Sequence, residues 1–167
     1  RGLGDVYKRQ ELLSAEKFGH VTWATHVDMA TGRPVESEFA DYQKNGGSYL
    51  WPSPFGAHNW QPMSYSQKTG YIYIPVQSFP AYFTGQKEVR YLENRWNTGV
   101  DLNEIRGPQS WVAGRAVMDA LVYGELVAWD PIKNERAWTV RHPKPSNGGT
   151  LSTAGNLVFQ GTWDGVF

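Results

Sequence analysis

From Glu11 onward, short apolar runs of roughly four to seven residues alternate with polar turns. Tyr71-Ile72-Tyr73-Ile74-Pro75-Val76, Glu125-Leu126-Val127-Ala128-Trp129 and Asn156-Leu157-Val158-Phe159-Gln160 are bounded by turn residues, and each predicts a strand. Three turns share one grammar: Asp28 to Gly32, Ser66 to Gly70 and Asp130 to Asn134. In each, an Asp or Ser side chain can accept from backbone two residues on. Four residues after it stands Gly or Asn, which tolerates positive φ. The turns are offset unevenly, by 38 and then 64 residues. An array of similar four-stranded sheets that carries one insertion accounts for this better than a regular solenoid. The insertion is expected at about 78–123. It is aromatic and polar by turns (Tyr82, Phe83, Tyr91, Trp96, Trp111), with short helical turns predicted at Glu88–Asn94 and Asp101–Ile105. Loops of this length inside compact folds usually serve a site or an interface.

Composition sharpens the picture. Eight Trp, nine Tyr and seven Phe make 14% aromatic residues, and 18 Gly with 10 Pro cut the chain into pieces too short for long helices. The chain reads as all-β. Lys and Arg equal Asp and Glu at 16 each, so no net field favours nucleic acid or an anionic membrane. No run of about 18 apolar residues could span a bilayer, and an export signal, if the protein is secreted, is expected upstream of this stretch. With no Cys, neither a disulfide scaffold nor a thiolate zinc site can be built from these residues. Residues 1–10, RGLGDVYKRQ, match neither strand nor helix period and resemble translated sequencing-adapter read-through. They are read as a non-native scar, and residues 11–167, with a net charge of −2, as the folded part.

Candidate chemistry starts at one hairpin. Ala128-x-Asp130, a turn, and Trp138 eight residues after the Asp place a small and a large side chain where neighbouring sheets meet. This resembles the tryptophan-docking motif of the quinoprotein propellers, Ala-x-Asp-x-x-Thr-Gly-x-x-x-Trp, with Lys133 and Asn134 where Thr and Gly are usual. Asn replaces Gly readily at a left-handed position. Further passages are similar to the same family in the same order: Val21-Thr22-Trp23-Ala24 through Thr31-Gly32-Arg33-Pro34, Asn59-Trp60-Gln61-Pro62-Met63-Ser64-Tyr65, Arg95-Trp96-Asn97-Thr98-Gly99, and Asn147-Gly148-Gly149-Thr150 through Asp164-Gly165. Residues 11–167 thus resemble the pyrroloquinoline quinone-dependent alcohol dehydrogenases of the methanol/ethanol type.

The resemblance implies about three blades of an eight-bladed β-propeller, whose central cavity holds pyrroloquinoline quinone with Ca²⁺ or a lanthanide. It implies oxidation of a small primary alcohol in the periplasm, with electrons passing to cytochrome c or to an attached haem c domain. Asn59 and Trp60 match the pair that contacts the quinone. An amide can pair with a quinone oxygen or carboxylate, and an indole can donate while its ring packs on the cofactor. The family's base aspartate and metal ligands lie N-terminal to Glu11, so no catalytic base and no metal ligand is assigned here, and the chain alone is expected to be inactive. Asn147-Gly148-Gly149, at a strand entrance, reads first as a plain turn and otherwise as glycines that let backbone approach a ligand closely; Trp96 and Trp111 read first as loop anchors and otherwise as lining the route to the quinone; Asp28, Asp130 and Asp164 read as turn caps. His20, His26, His58 and His142 show no ligand spacing, and no nucleophile elbow, phosphate loop or nicotinamide fingerprint is present. The alternative is a non-enzymatic propeller similar to outer-membrane assembly scaffolds. Asn59-Trp60 and the aromatic insertion argue against it, since a bare scaffold needs neither.

Overall fold

The computed structural model describes residues 12–95, 97–100, 120–145 and 147–167. Its strands are β1 (Ala24–Asp28), β2 (Arg33–Glu36), β3 (Ser48–Leu50), β4 (Ser64–Tyr65), β5 (Ile72–Ser78), β6 (Ala81–Phe83), β7 (Tyr123–Asp130), β8 (Glu135–His142), β9 (Thr150–Ser152) and β10 (Val158–Gln160). The two longest apolar runs become β5 and β7, the central strands of an antiparallel sheet ordered β4-β5-β7-β8. Their register sets Ile72 opposite Trp129, Tyr73 opposite Ala128 and Ile74 opposite Val127.

Both faces of β5 and β7 are covered, which is why their runs are continuous rather than alternating, while the edge strand β8 is exposed along Glu135–Arg141. One face packs Ile74, Val76, Val127 and Trp129 beneath Phe18 and Ile72; the other packs Tyr73, Leu126 and Ala128 beneath Tyr71 and Val158. Val127 and Ala128 are fully buried. Burial of a side chain of Val size stabilises by about 1.5–3 kcal/mol, so the sheet centre anchors the fold. A four-stranded antiparallel sheet with a buried centre has the form of one propeller blade. Around it lie two-stranded pieces, β1–β2 and β9–β10, and a small ladder, β3–β6. The all-β expectation holds. Among the described residues one sheet has four strands and three have two.

The docking hairpin is β7–β8. Trp138 stands directly across from Ala128, and its ring lies 5.7 Å from that of Tyr73. Asp130 Oδ1 accepts from the backbone of Ile132 at 2.9 Å and Lys133 at 3.0 Å, and Asn134 takes a φ of 61°, the role Gly has elsewhere. The other two turns close alike: Gly32 N–H donates to Asp28 O at 2.7 Å, and Gly70 N–H to Ser66 O at 2.8 Å. A related turn, unread in the sequence, begins at Asp41, whose carboxylate accepts from Lys44 N–H, with the left-handed residue one position later than in the others, at Gly46 (φ 71°).

Two expectations are corrected. Glu88–Asn94 forms no helical turn: Asn97 clasps this stretch, accepting from Leu92 N–H at 2.8 Å and donating to Leu92 O at 2.9 Å and Arg95 O at 2.8 Å. A side chain that satisfies backbone groups locally competes with helix formation. The third predicted strand starts at Val158 instead of Asn156, because Asn156 adopts a φ of 65° in the turn before it. Residues 1–10, Trp96, Trp111 and the predicted helical turn at Asp101–Ile105 lie outside the described residues.

Candidate functional site

Asn59 and Trp60 sit on the irregular stretch that joins β3 to β4, and hydrogen bonds to the end of β5 hold that stretch in place. Ser53 N–H donates to Phe79 O at 2.7 Å, and Gln77 N–H to Ala57 O at 2.8 Å. The Gln77 amide donates to Phe55 O at 3.2 Å and Gly56 O at 2.9 Å. The ring of His58 bonds Pro75 O at 2.8 Å, which makes this histidine a backbone clamp. Gly56 has a φ of 75°, and a Cβ there would meet His58 O at 2.8 Å, so the loop requires glycine on both counts. Asn59 Nδ2 donates to Phe55 O at 3.0 Å. The loop thereby presents Trp60 with 79% of its surface open. A bulky apolar side chain held open by an ordered loop suggests a surface meant to be covered.

The facing wall comes from the segment that enters β9 and from the turn after β10. Asn147 is buried, donates from Nδ2 to Lys144 O at 2.9 Å, and accepts at Oδ1 from Trp163 N–H at 3.0 Å. Gly148 N–H donates to Gly161 O at 2.8 Å, and Gln160 Nε2 to Gly148 O at 2.9 Å. The walls join below, where Thr150 N–H donates to Pro62 O at 2.9 Å and Thr150 Oγ1 lies 2.9 Å from Ser64 Oγ. Between them opens a cavity of about 550 Å³. Phe55, Trp60, Phe79 and Trp163 give it aromatic sides, and Asn59, Gln61, Gln77 and Asn147 give it amides. No charged side chain lines it among the described residues. Apolar walls with a few convergent polar groups suit a planar ligand edged with oxygens.

Asn59 and Trp60, the pair that the sequence resemblance singles out, both line this cavity. Asn147 and Gly148 come to the same cavity, where the sequence alone reads first a plain turn. Trp163, Gln61, Phe55 and Phe79 join them unannounced; the glycines at a strand entrance were the one signal pointing to that wall. The aspartates stand apart. Asp28 serves its turn, and the Ala30 N–H that it accepts holds its carboxyl below the ordinary range. Asp164 is held low chiefly by the Thr162 hydroxyl. Among the described residues no three His, Cys, Asp or Glu side chains gather as metal ligands, and no helix is long and apolar enough to cross a membrane.

Comparison with known proteins bears on what the cavity is. The quinohemoprotein alcohol dehydrogenase ADH IIB of Pseudomonas putida is 48% identical over 152 residues, which cover 91% of this chain and 21% of that protein. The dehydrogenase subunit of the quinone alcohol dehydrogenase of Gluconacetobacter polyoxogenes is 40% identical over 162 residues, 96% of this chain and 22% of that one. In structure, quinohemoprotein alcohol dehydrogenase ADHIIG from P. putida HK5 superposes with a TM-score of 0.79 at 40% identity, over 92% of this chain and 23% of that one. The chain belongs to the quinoprotein alcohol dehydrogenase family. The likeness reaches a europium-containing methanol dehydrogenase, with a TM-score of 0.71 at 26% identity over 91% of this chain and 25% of that one. No protein-family model matches the chain. It spans about a fifth of the length of these quinoprotein relatives.

Proposed function

We propose that this chain is the cofactor-facing part of a quinoprotein that oxidises primary alcohols to aldehydes, with pyrroloquinoline quinone seated in the cavity at Asn59 and Trp60. The observation that carries the reading is that cavity, a neutral, aromatic-walled, amide-edged concavity in a chain of this family.

The residues present fit the cofactor. Asn59 uses one Nδ2 hydrogen on Phe55 O; its second hydrogen and its Oδ1 have no partner among the described residues. Trp60 keeps its indole N–H free of protein partners in the same sense, and its ring is open to a planar group. When bound, the quinone supplies the two-electron oxidation. Asn59 would orient it by hydrogen bonds, Trp60 would pack on its ring, and the aromatic walls would exclude water from the reacting face. The general base and the Ca²⁺ or lanthanide ligands belong, on the family resemblance, to parts of the protein outside this chain, so the chain by itself is inactive. A relative from Thauera butanivorans is named 1-butanol dehydrogenase (cytochrome c), which supports a small alcohol as substrate and cytochrome c as acceptor. An attached haem c domain as the alternative acceptor, and a periplasmic location, belong to the same reading.

The test is dye-linked alcohol oxidation by the complete protein bearing this segment, reconstituted with quinone and metal. Asn59→Leu and Trp60→Ala are each expected to lower the rate at a fixed, limiting quinone concentration at least tenfold. A folded protein that oxidises no alcohol would return the chain to the scaffold class, and variants as active as the parent would place the quinone away from Asn59 and Trp60.

A further inference from the structure

Gln61 is the one buried amide of the cavity that makes no hydrogen bond among the described residues. It follows Trp60 and is only 7% exposed, and neither its Oε1 nor its Nε2 has a hydrogen-bond partner among the described residues. The neighbouring amides differ: Gln77 donates to two carbonyls, and Asn147 uses both ends. Gln61 is not sealed away either. The surface it retains opens on the cavity and on a narrow crevice toward Pro75, Gln77 and Asn147. The backbone on either side is tied down, because Pro62 O accepts from Thr150 N–H and Pro62 packs against Gly149. Its amide atoms keep accessible surface, unlike the sealed Trp51 Nε1 and Asn134 Nδ2, so the hydrogen-bonding capacity left over by the fold faces the cavity. A site that keeps an amide there has a use for it when a ligand arrives.

We propose that Gln61 is a third hydrogen-bonding residue for the cavity's ligand, pairing its amide with a carbonyl or carboxylate oxygen of the quinone alongside Asn59 and Trp60. This rests on the cofactor reading above and adds to it a residue that no resemblance assigns. It makes Gln61 a binding residue whose amide exchanges water for a ligand oxygen on loading.

The experiment titrates pyrroloquinoline quinone into the complete protein bearing this segment, following tryptophan fluorescence, and measures the urea midpoint of the unloaded protein in parallel. Gln61→Met is near-isosteric. It is expected to raise the quinone Kd roughly tenfold, about 1.4 kcal/mol, while leaving the unloaded midpoint equal or higher. Gln61→Glu, which sets a negative charge toward an anionic ligand, is expected to raise Kd further. Unchanged Kd in Gln61→Met, or a lowered unloaded midpoint, assigns Gln61 to the fold and overturns the inference. Gln61→Glu binding as tightly as the parent overturns it as well. Asn59→Leu in the same titration separates the two readings: if it weakens binding while the Gln61 variants do not, only this inference fails, and if none of them weakens binding the cofactor site itself is wrong.

Discussion

Gly149→Ala tests whether the two walls of the cavity are joined as described. A Cβ on Gly149 would fall 2.4 Å from both Cδ and Cγ of Pro62 and 3.0 Å from its nitrogen, distances that real side chains essentially never reach. The proline ring cannot rotate away, and its carbonyl is held by Thr150 N–H, so relief requires backbone movement on one wall or the other. Overpacking of this kind costs about 1–3 kcal/mol. Pro62 follows Trp60 and Gln61 directly, so the displacement reaches the cavity and is expected to weaken quinone binding as well. Gly155→Ala is the matched control: its Cβ would meet only Thr153 Oγ1, at 3.6 Å, an ordinary contact. That change is expected to be neutral or to stabilise by about 0.4–1 kcal/mol through the unfolded state. Urea unfolding of the two variants should therefore differ by at least about 1 kcal/mol. A difference below about 0.5 kcal/mol, within the usual spread for an unconstrained surface site, would refute the junction.

Other outcomes follow from the same packing. Val127→Ala removes two methyl groups from a fully buried position between Ile74 and Trp129 and is expected to cost about 2–3 kcal/mol in urea unfolding. Asn147→Ala strands Trp163 N–H and Lys144 O and is expected to cost about 2 kcal/mol; it should also loosen the Trp163 wall, read as higher acrylamide quenching of tryptophan fluorescence. Asp28 and Asp164 both have carboxyls held below the ordinary value of 3.8, so the stability they contribute is complete above that pH and lost as pH falls through their lowered values. The unfolding midpoint of Asp28→Asn, measured from pH 6 to pH 2, should lie below the parent's at high pH and converge on it in acid; a gap independent of pH would contradict the assignment.

What the sequence reveals and what it hides divide along a physical line. β5 and β7 are legible because both of their faces are buried, which leaves uninterrupted apolar runs. The turns at Asp28, Ser66 and Asp130 are legible because an acceptor side chain and a left-handed residue four positions later are local requirements, met by Asn134 as well as by Gly. The pairing of Ser48–Leu50 with Ala81–Phe83 is not legible, since three-residue strands drawn from distant stretches carry no period of their own. Glu88–Asn94 misleads because the Asn97 side chain that decides its shape acts through the fold of the loop. At the site, Asn59 and Trp60 come from family likeness, and spacing alone gives neither. Gln61, Asn147 and Trp163 become interesting only when segments nearly a hundred residues apart meet at Pro62 and Thr150.

The account rests most directly on where the quinone sits. A crystal structure of the complete protein bearing this segment, loaded with pyrroloquinoline quinone, should show the ring system between Trp60 and the Asn147–Gly148 wall, with Asn59 within hydrogen-bond distance of one of its oxygens. Quinone bound elsewhere, with Asn59 and Trp60 still open to solvent, would contradict it.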